Sequence, residues 1–293
     1  MILLHGLGNR FKILLDAVIA VALASSILLN NTAVWRAWSI LGEEYIYLFT
    51  CILLYYIVDP YTGLYTVLAV IASGSLNLVM KYSFNTPRPP NPLVEAEGPG
   101  FPSGHAQIST SFWGTLTVKL RDKYLAVASA LLVTGISLSR IYLRAHYIVD
   151  VAGGIAAGLA IALIIYYLGS RLEPGSASIT IGAATIALSS ATLLLRQWEP
   201  TALGLTGIGI ALVASGKRIK DAVEALNTMD MMHRTTALIL VLIATGPLYL
   251  AARTGGVVRI IFFTIIGLII FNTPLILGKK IRSKRHNSGA AGI

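Results

Sequence analysis

The sequence predicts an all-α, polytopic membrane protein, a helical bundle of about ten transmembrane helices. Three observations predict it. Only 12% of the 293 residues are charged, against roughly 25% in soluble globular chains. The chain is 55% hydrophobic, with a mean hydropathy of +0.74. Apolar stretches near the ~20 residues that cross a bilayer recur from end to end.

The first apolar run, about Phe11 to Leu29, follows Arg10 and carries Lys12 at its edge. It resembles a secretory signal, and Ala22-Leu23-Ala24 offers a small-residue cleavage pattern. Because the run continues through Ile27, Leu28 and Leu29, it reads as an uncleaved anchor. Further spans are expected at about Tyr45 to Val58, Tyr61 to Met80, Gly104 to Leu120, Tyr124 to Ile141 and Asp150 to Leu168. Four more follow, near Ser178 to Leu195, Thr201 to Ser215, Thr235 to Ala252 and Gly256 to Leu277.

Ten spans put both termini on one side, and the charged loops say which, since short cytoplasmic loops collect Lys and Arg. One side receives Arg10, Lys12, Lys119, Arg121, Lys123, Arg171, Lys217, Arg218, Lys220, Arg234 and the tail Lys279, Lys280, Arg282, Lys284 and Arg285. The other receives fewer, among them Lys81, Arg88, Arg140 and Arg144. Both termini are therefore expected in the cytoplasm. The net charge of +10 would also suit nucleic acid, but these groups lie between apolar runs rather than along one soluble face. A nucleic-acid partner is not expected; membrane lipids are. The single cysteine, Cys51, sits inside an apolar run, which leaves neither an internal disulfide nor a cysteine metal site.

The segment Lys217 to Arg234 differs in kind. Ile219, Val223, Leu226 and Met229 follow helical spacing while Lys220, Asp221 and Glu224 occupy other faces, as in an amphipathic linker lying on the membrane interface. Gly153, Gly154 and Gly158 include a Gly-x-x-x-Gly spacing that allows close helix approach, expected within the subunit. No internal repeat, nucleotide loop, dinucleotide fingerprint, zinc pattern or calcium loop is visible. Neither a metal nor a cofactor is expected.

Three polar segments interrupt the apolar pattern: Lys81 to Pro90, Phe101 to His105, and Ser139 to Asp150. The ten-span arrangement brings all three to the outer membrane surface. Lys81, Arg88 and Arg140 suit the equatorial oxygens of a phosphoryl group in transfer, the arginines as planar donor arrays. Pro87 and Pro89 stiffen the segment that presents Arg88. Ser103 stands where a helix N-cap belongs, Gly104 permits close backbone approach, and the free amides there suit a phosphate oxygen. His105 enters the same pocket. His146 and Asp150 are four apart, on one helical face, and a carboxylate on one imidazole nitrogen leaves the other available as a nucleophile. Taken singly, each basic residue also fits a snorkelling side chain and Asp150 also fits a helix cap; the combination points to phosphate chemistry.

The combination resembles the type 2 phosphatidic acid phosphatase and vanadium haloperoxidase superfamily. It has three parts in the family's order: Lys81, six residues, then Arg88-Pro89; Pro102-Ser103-Gly104-His105; and Ser139-Arg140, five residues, His146, three residues, Asp150. The resemblance implies a six-helix phosphatase-like core within residues 1–168, its motif-bearing part about 45–168, followed by additional helices over 169–293. It implies that His146 attacks phosphorus, that Asp150 orients it, and that His105 protonates the leaving group. Lys81, Arg88, Ser103, Gly104 and Arg140 would bind the phosphoryl oxygens, without a metal. Glu95 and Glu97 are assigned to a solvated loop or to leaving-group recognition, and Arg144 to the outer surface. The helices after the core are similar to those of sphingosine-phosphate and glucose-6-phosphate phosphatases, and Pro87 to Pro92 is similar to the proline-rich first motif of the former.

The function implied is an integral-membrane phosphatase with its site outside the cytoplasm, acting on a lipid phosphate or diphosphate through a phosphohistidine. Polyprenyl substrates come first, then phosphatidic acid and its relatives, then sphingoid phosphate; sugar phosphate is a further candidate. A lipid phosphotransferase, a vanadate-dependent haloperoxidase and a non-enzymatic lipid transporter are the alternatives.

Overall fold

The computed structural model describes the backbone from Gly8 to Ala290 and side chains as far as Lys279. The side chains of the basic tail at Lys280, Arg282, Lys284 and Arg285 lie outside the described residues. Those residues form eleven α-helices and no strand. In order they are α1 (Asn9–Leu29), α2 (Thr32–Ile40), α3 (Glu44–Leu53), α4 (Pro60–Phe84), α5 (Gly104–Leu120), α6 (Lys123–Tyr142) and α7 (Ile148–Arg171). Then come α8 (Pro174–Leu195), α9 (Pro200–Thr228), α10 (Met231–Ala252) and α11 (Val258–Ala290). A π-helical turn, Leu54–Val58, prolongs α3.

Each expected span lies within a helix to within two residues, Tyr45 to Val58 running from α3 through the π-helical turn. Eight helices are long and apolar enough to cross a membrane, and the pair α2 and α3 with its π-helical turn, bent by 44°, passes the same test when taken as one span. Helix α5 has 17 residues and is more polar, for a reason seen below: its first turns face the site. The additional element is α2. Asn31 caps it by accepting from the Ala33 amide at 2.8 Å. Its Trp35 and Trp38 are buried with Leu23 and Leu143, and Trp38 Nε1 donates to Ser26 Oγ at 2.8 Å.

The chain divides into two compact units. The first holds residues 1–52 and 65–170, the second residues 53–64 and 171–293. In the first, α4 from Tyr65 onward is largely buried, whereas α1 is largely exposed. The exposed Phe11, Leu14, Val18 and Val21 of α1 are the apolar surface a lipid-facing helix presents. Lys12 of α1 pairs with Asp122, the N-cap of α6.

Helices α5 and α7 approach closely because the latter carries glycines. A Cβ on Gly154 would lie 2.6 Å from the Ser103 carbonyl oxygen, and one on Gly158 2.5 Å from that of Gln107. The small-residue spacing thus serves packing inside the subunit.

In the second unit α9 is largely buried. It meets α8 through Gly175 opposite Gly216 and Gly182 opposite Gly209, and meets α11 through Gly207 against Phe263. The segment 217–234 is not a separate interfacial helix. Helix α9 runs on to Thr228, and α10 starts at Met231 with Asp230 as its cap. The reason is burial: Ile219, Val223 and Leu226 are fully buried, so the apolar stripe is satisfied by the unit's own helices. Its polar face remains outside, where Lys220 and Glu173 pair at 3.2 Å.

Candidate active site

All three polar segments meet at one end of the first unit. Helix α4 ends there, α5 and α7 begin there, and α6 arrives with Arg140. The 85–103 connection has no regular structure, yet it is tied down along its length. Asn85, in the left-handed region at φ 45°, turns the chain out of α4, and its amide returns to the Lys81 carbonyl at 2.8 Å. Thr86 holds both strands of the loop: its carbonyl accepts from the Gly100 amide at 2.8 Å and its hydroxyl from the Phe101 amide at 2.9 Å. Leu93 N donates to the Leu143 carbonyl at 2.9 Å.

Within that frame Arg88 is fixed by four contacts. Its Nε donates to the Gly98 carbonyl at 2.9 Å and Nη2 to the Glu97 carbonyl at 2.7 Å. Its Nη1 donates to the Ala145 carbonyl at 2.8 Å and lies 3.1 Å from His146 Nε2. Lys81 Nζ donates to the Pro99 carbonyl at 2.8 Å. Arg140, buried, donates through Nη1 to Ser39 Oγ of α2, while its Nε makes no hydrogen bond among the described residues.

The turn between α6 and α7 places His146. Arg144 takes the left-handed region at φ 54° and is exposed. This tightens the chain so that the Ala145 and His146 amides both reach the Arg140 carbonyl, at 3.0 and 3.2 Å. His146 and Asp150 are nearly inaccessible, and His146 Nδ1 stands 3.5 Å from Asp150 Oδ2. Asp150 is itself anchored: Oδ2 accepts from the Tyr147 amide at 2.8 Å and its carbonyl from the Ser103 amide at 2.9 Å.

A guanidinium only donates, so Nε2 of His146 must offer its lone pair to Arg88 and the imidazole proton sits on Nδ1, facing Asp150. His146 is also held neutral. Burial first, then the positive charges of Arg88, Lys81 and Arg140 and the neighbouring His105, push its pKa down to about 2. The site therefore contains an uncharged imidazole, its nucleophilic nitrogen pointing into a cluster of cations. That combination suits attack on an anionic phosphorus centre.

Ser103 is the N-cap of α5 and its hydroxyl faces the Ala106 amide at 3.5 Å. Its own amide is taken by Asp150, so the first-turn amides left to face an anion are those of Gly104 and His105. Gly104 packs tightly on Asn77, whose Oδ1 lies 3.3 Å from where a Cβ would stand. Asn77 Nδ2 donates to the Pro102 carbonyl at 3.3 Å and to Gln107 Oε1 at 2.9 Å, which fixes the start of α5 on α4. His105 Nε2 lies 3.4 Å from Glu43 Oε1.

The structure therefore brings Lys81, Arg88, Ser103, Gly104, His105, Arg140, His146 and Asp150 together. Glu95 and Glu97 have exposed side chains; Glu97 contributes its carbonyl. No group of three or more His, Cys, Asp or Glu side chains that could hold a metal occurs among the described residues. Sequence reasoning missed Ser39, Gly42, Glu43, Asn77 and Gln107. One signal for Glu43 was available, since Glu43-Glu44 is an acidic pair between otherwise apolar stretches on the side of the three motifs.

Human sphingosine-1-phosphate phosphatase 2 is 27% identical over 138 residues, 43% of this chain and 35% of the relative. The chain thus spans about a third of the length of that curated relative. No solved structure gives a significant match. Residues 62–173, which carry all three motifs, match the family model of the PAP2 superfamily.

Proposed function

We propose that the protein is an integral-membrane lipid phosphatase working through a phosphohistidine. The observation that carries this is the placement of His146 between Asp150 and Arg88, with Nδ1 toward the carboxylate and Nε2 toward the guanidinium. Nε2 attacks phosphorus in line with the bridging oxygen. The P–O bond to the lipid breaks, and the departing oxygen takes a proton from His105. Water then attacks phosphorus, the N–P bond breaks, and the proton of that water returns to His105 as inorganic phosphate leaves.

Lys81, Arg88 and Arg140 supply the positive charge around the equatorial oxygens, which is the service a divalent metal would otherwise give, so hydrolysis without metal is part of the reading. Asp150 holds the Nδ1 proton and stabilises the imidazole as it becomes cationic. Its present 3.5 Å separation is a contact that closes as charge develops.

The substrate class is a lipid phosphate or diphosphate. Phe84, Tyr147, Ile148 and Val149 are exposed around the site, which supports a lipid chain staying in the bilayer while its phosphate enters. A polyprenyl chain is the first candidate; the human relative's name favours sphingoid phosphate as the second. The site is placed on the extracytoplasmic side with both termini in the cytoplasm. Support comes from the first unit, where Lys12, Lys119, Arg121 and Lys123 gather at the end opposite His146.

The test is phosphate release by purified protein from prenyl, sphingoid, glycerol and sugar phosphates, with a chelator present and His146→Ala as control. Release by the wild type and its loss in the variant support the proposal. Undiminished release by His146→Ala would overturn it.

A further inference from the structure

Three contacts with the site come from a stretch that precedes the family match. Leu41, Gly42 and Glu43 form the break between α2 and α3. Ser39, just before it, accepts from Arg140. At Gly42 a Cβ would stand 2.7 Å from His105 Cδ2 and 2.7 Å from Ile136 Cγ2, so the bend lies directly against the imidazole and has no room for a side chain. Glu43 then reaches past it to His105 Nε2 at 3.4 Å. The carboxylate is 39% exposed while His105 is 17% exposed, so the pair sits at the mouth of the site with the imidazole on the inside.

The other charged groups around His105 are cations: Lys81 from α4 and Arg140 from α6, with neutral His146 from the turn before α7. A buried histidine among cations tends to give up its proton, through burial first and the cations second, whereas a general acid has to hold one until the leaving oxygen calls for it. Glu43 is the anion set against that tendency. The Cδ2 and Nε2 edge of the ring faces the bend, which leaves Nδ1 as the edge for the substrate.

We infer that Glu43 is the positioning residue for the proton donor: its carboxylate faces the Nε2 edge of His105, orients the ring and favours the protonated form from which Nδ1 protonates the departing oxygen. When the P–O bond breaks, the bridging oxygen keeps the electron pair and takes the Nδ1 proton. The ring is left neutral, with Nε2–H still facing Glu43. Water attack on the phosphohistidine returns a proton to Nδ1. This rests on the phosphatase reading above and adds to it a residue outside residues 62–173.

The test uses the full-length protein in lipid nanodiscs and compares wild type, Glu43→Gln and Glu43→Asp across pH. Two substrates are used, an alkyl lipid phosphate and an aryl phosphate whose phenolate leaves without a proton. For Glu43→Gln the expected result is a fall in kcat/KM of roughly 10- to 100-fold on the alkyl phosphate, up to the lower end of the roughly 10²–10⁴ contribution of general acid catalysis, since His105 itself remains. On the aryl phosphate kcat/KM stays within about 3-fold, since that departure needs no acid. The alkaline limb of the alkyl profile moves to lower pH, and Glu43→Asp, which keeps the charge, moves it back toward wild type.

Equal losses on the two substrates, or an alkaline limb that does not move, would overturn the assignment while leaving the phosphatase reading intact. A wild type that releases phosphate from neither substrate would remove both together. Unchanged protection of the buried Cys51 thiol against a maleimide verifies that the variants are folded.

Discussion

Arg88 Nη1 lies 3.1 Å from His146 Nε2 and donates to the carbonyl of Ala145 next to it. One guanidinium therefore fixes both the position and the tautomer of the imidazole. Because the planar fork is anchored by three carbonyls, lysine cannot reproduce it. Arg88→Lys is expected to lower kcat/KM for lipid phosphate by about 10²- to 10³-fold, the cost typical of removing one preorganised donor from a transition state. Steady-state phosphate release measures it; a loss under 3-fold would mean that Arg88 does not hold the phosphoryl group.

The depressed pKa of His146 gives stability a sign with pH. In the unfolded chain an imidazole takes up its proton near 6.5, but in the folded protein His146 stays neutral down to about 2. Between those values the unfolded state binds one more proton, so this contribution is full above pH 6.5 and shrinks as pH falls. His146→Gln has no such proton to gain. Thermal unfolding from neutral pH downward should show a steeper loss for wild type than for the variant, and parallel curves would contradict the burial argument. Imidazole ¹⁵N spectra should show Nδ1 protonated and Nε2 free over the same range.

Packing between α5 and α7 makes a separate prediction about the scaffold. Gly158→Ala puts a methyl about 2.5 Å from the Gln107 carbonyl, and both groups are on helix backbones that must part. Overpacking of this kind typically costs about 1–3 kcal/mol. Cys51 is fully buried and the sole cysteine, so the rate at which a membrane-permeable maleimide labels it reports opening of the first unit. Faster labelling in Gly158→Ala is expected, together with reduced activity, since α5 carries His105. Unaltered labelling and melting would show that the helices can separate at no cost.

Gly153 makes the same point nearer the site. A Cβ there would fall 2.3 Å from the Phe101 ring, and Phe101 leads into Pro102-Ser103-Gly104. Gly153→Ala is expected to lower kcat more than it raises KM, because the displaced loop disturbs the first-turn amides of α5 rather than the lipid-facing surface. Kinetics on one lipid phosphate distinguish this from a general loss of folded protein, which would scale the amount of active enzyme and leave KM alone.

Much of this protein was legible in the chain because a bilayer constrains sequence strongly. Low charge and repeated apolar runs set the helical class and the places of the spans, and the scarcity of charge made Lys81, Arg88, Arg140, His146 and Asp150 stand out. At 217–234 periodicity says that a helix has an apolar face, not what covers it; Ile219, Val223 and Leu226 are covered inside the second unit. What only the tertiary structure decided is the set of contacts made across long separations in sequence. The hydrogen on His146 is assigned by Arg88, 58 positions earlier, and the anion beside His105 comes from Glu43, in a bend with no motif of its own. Such pairs depend on how helices α2 to α7 stack at one end of the bundle, and that stacking is set by glycines and buried aromatics whose partners no local pattern names.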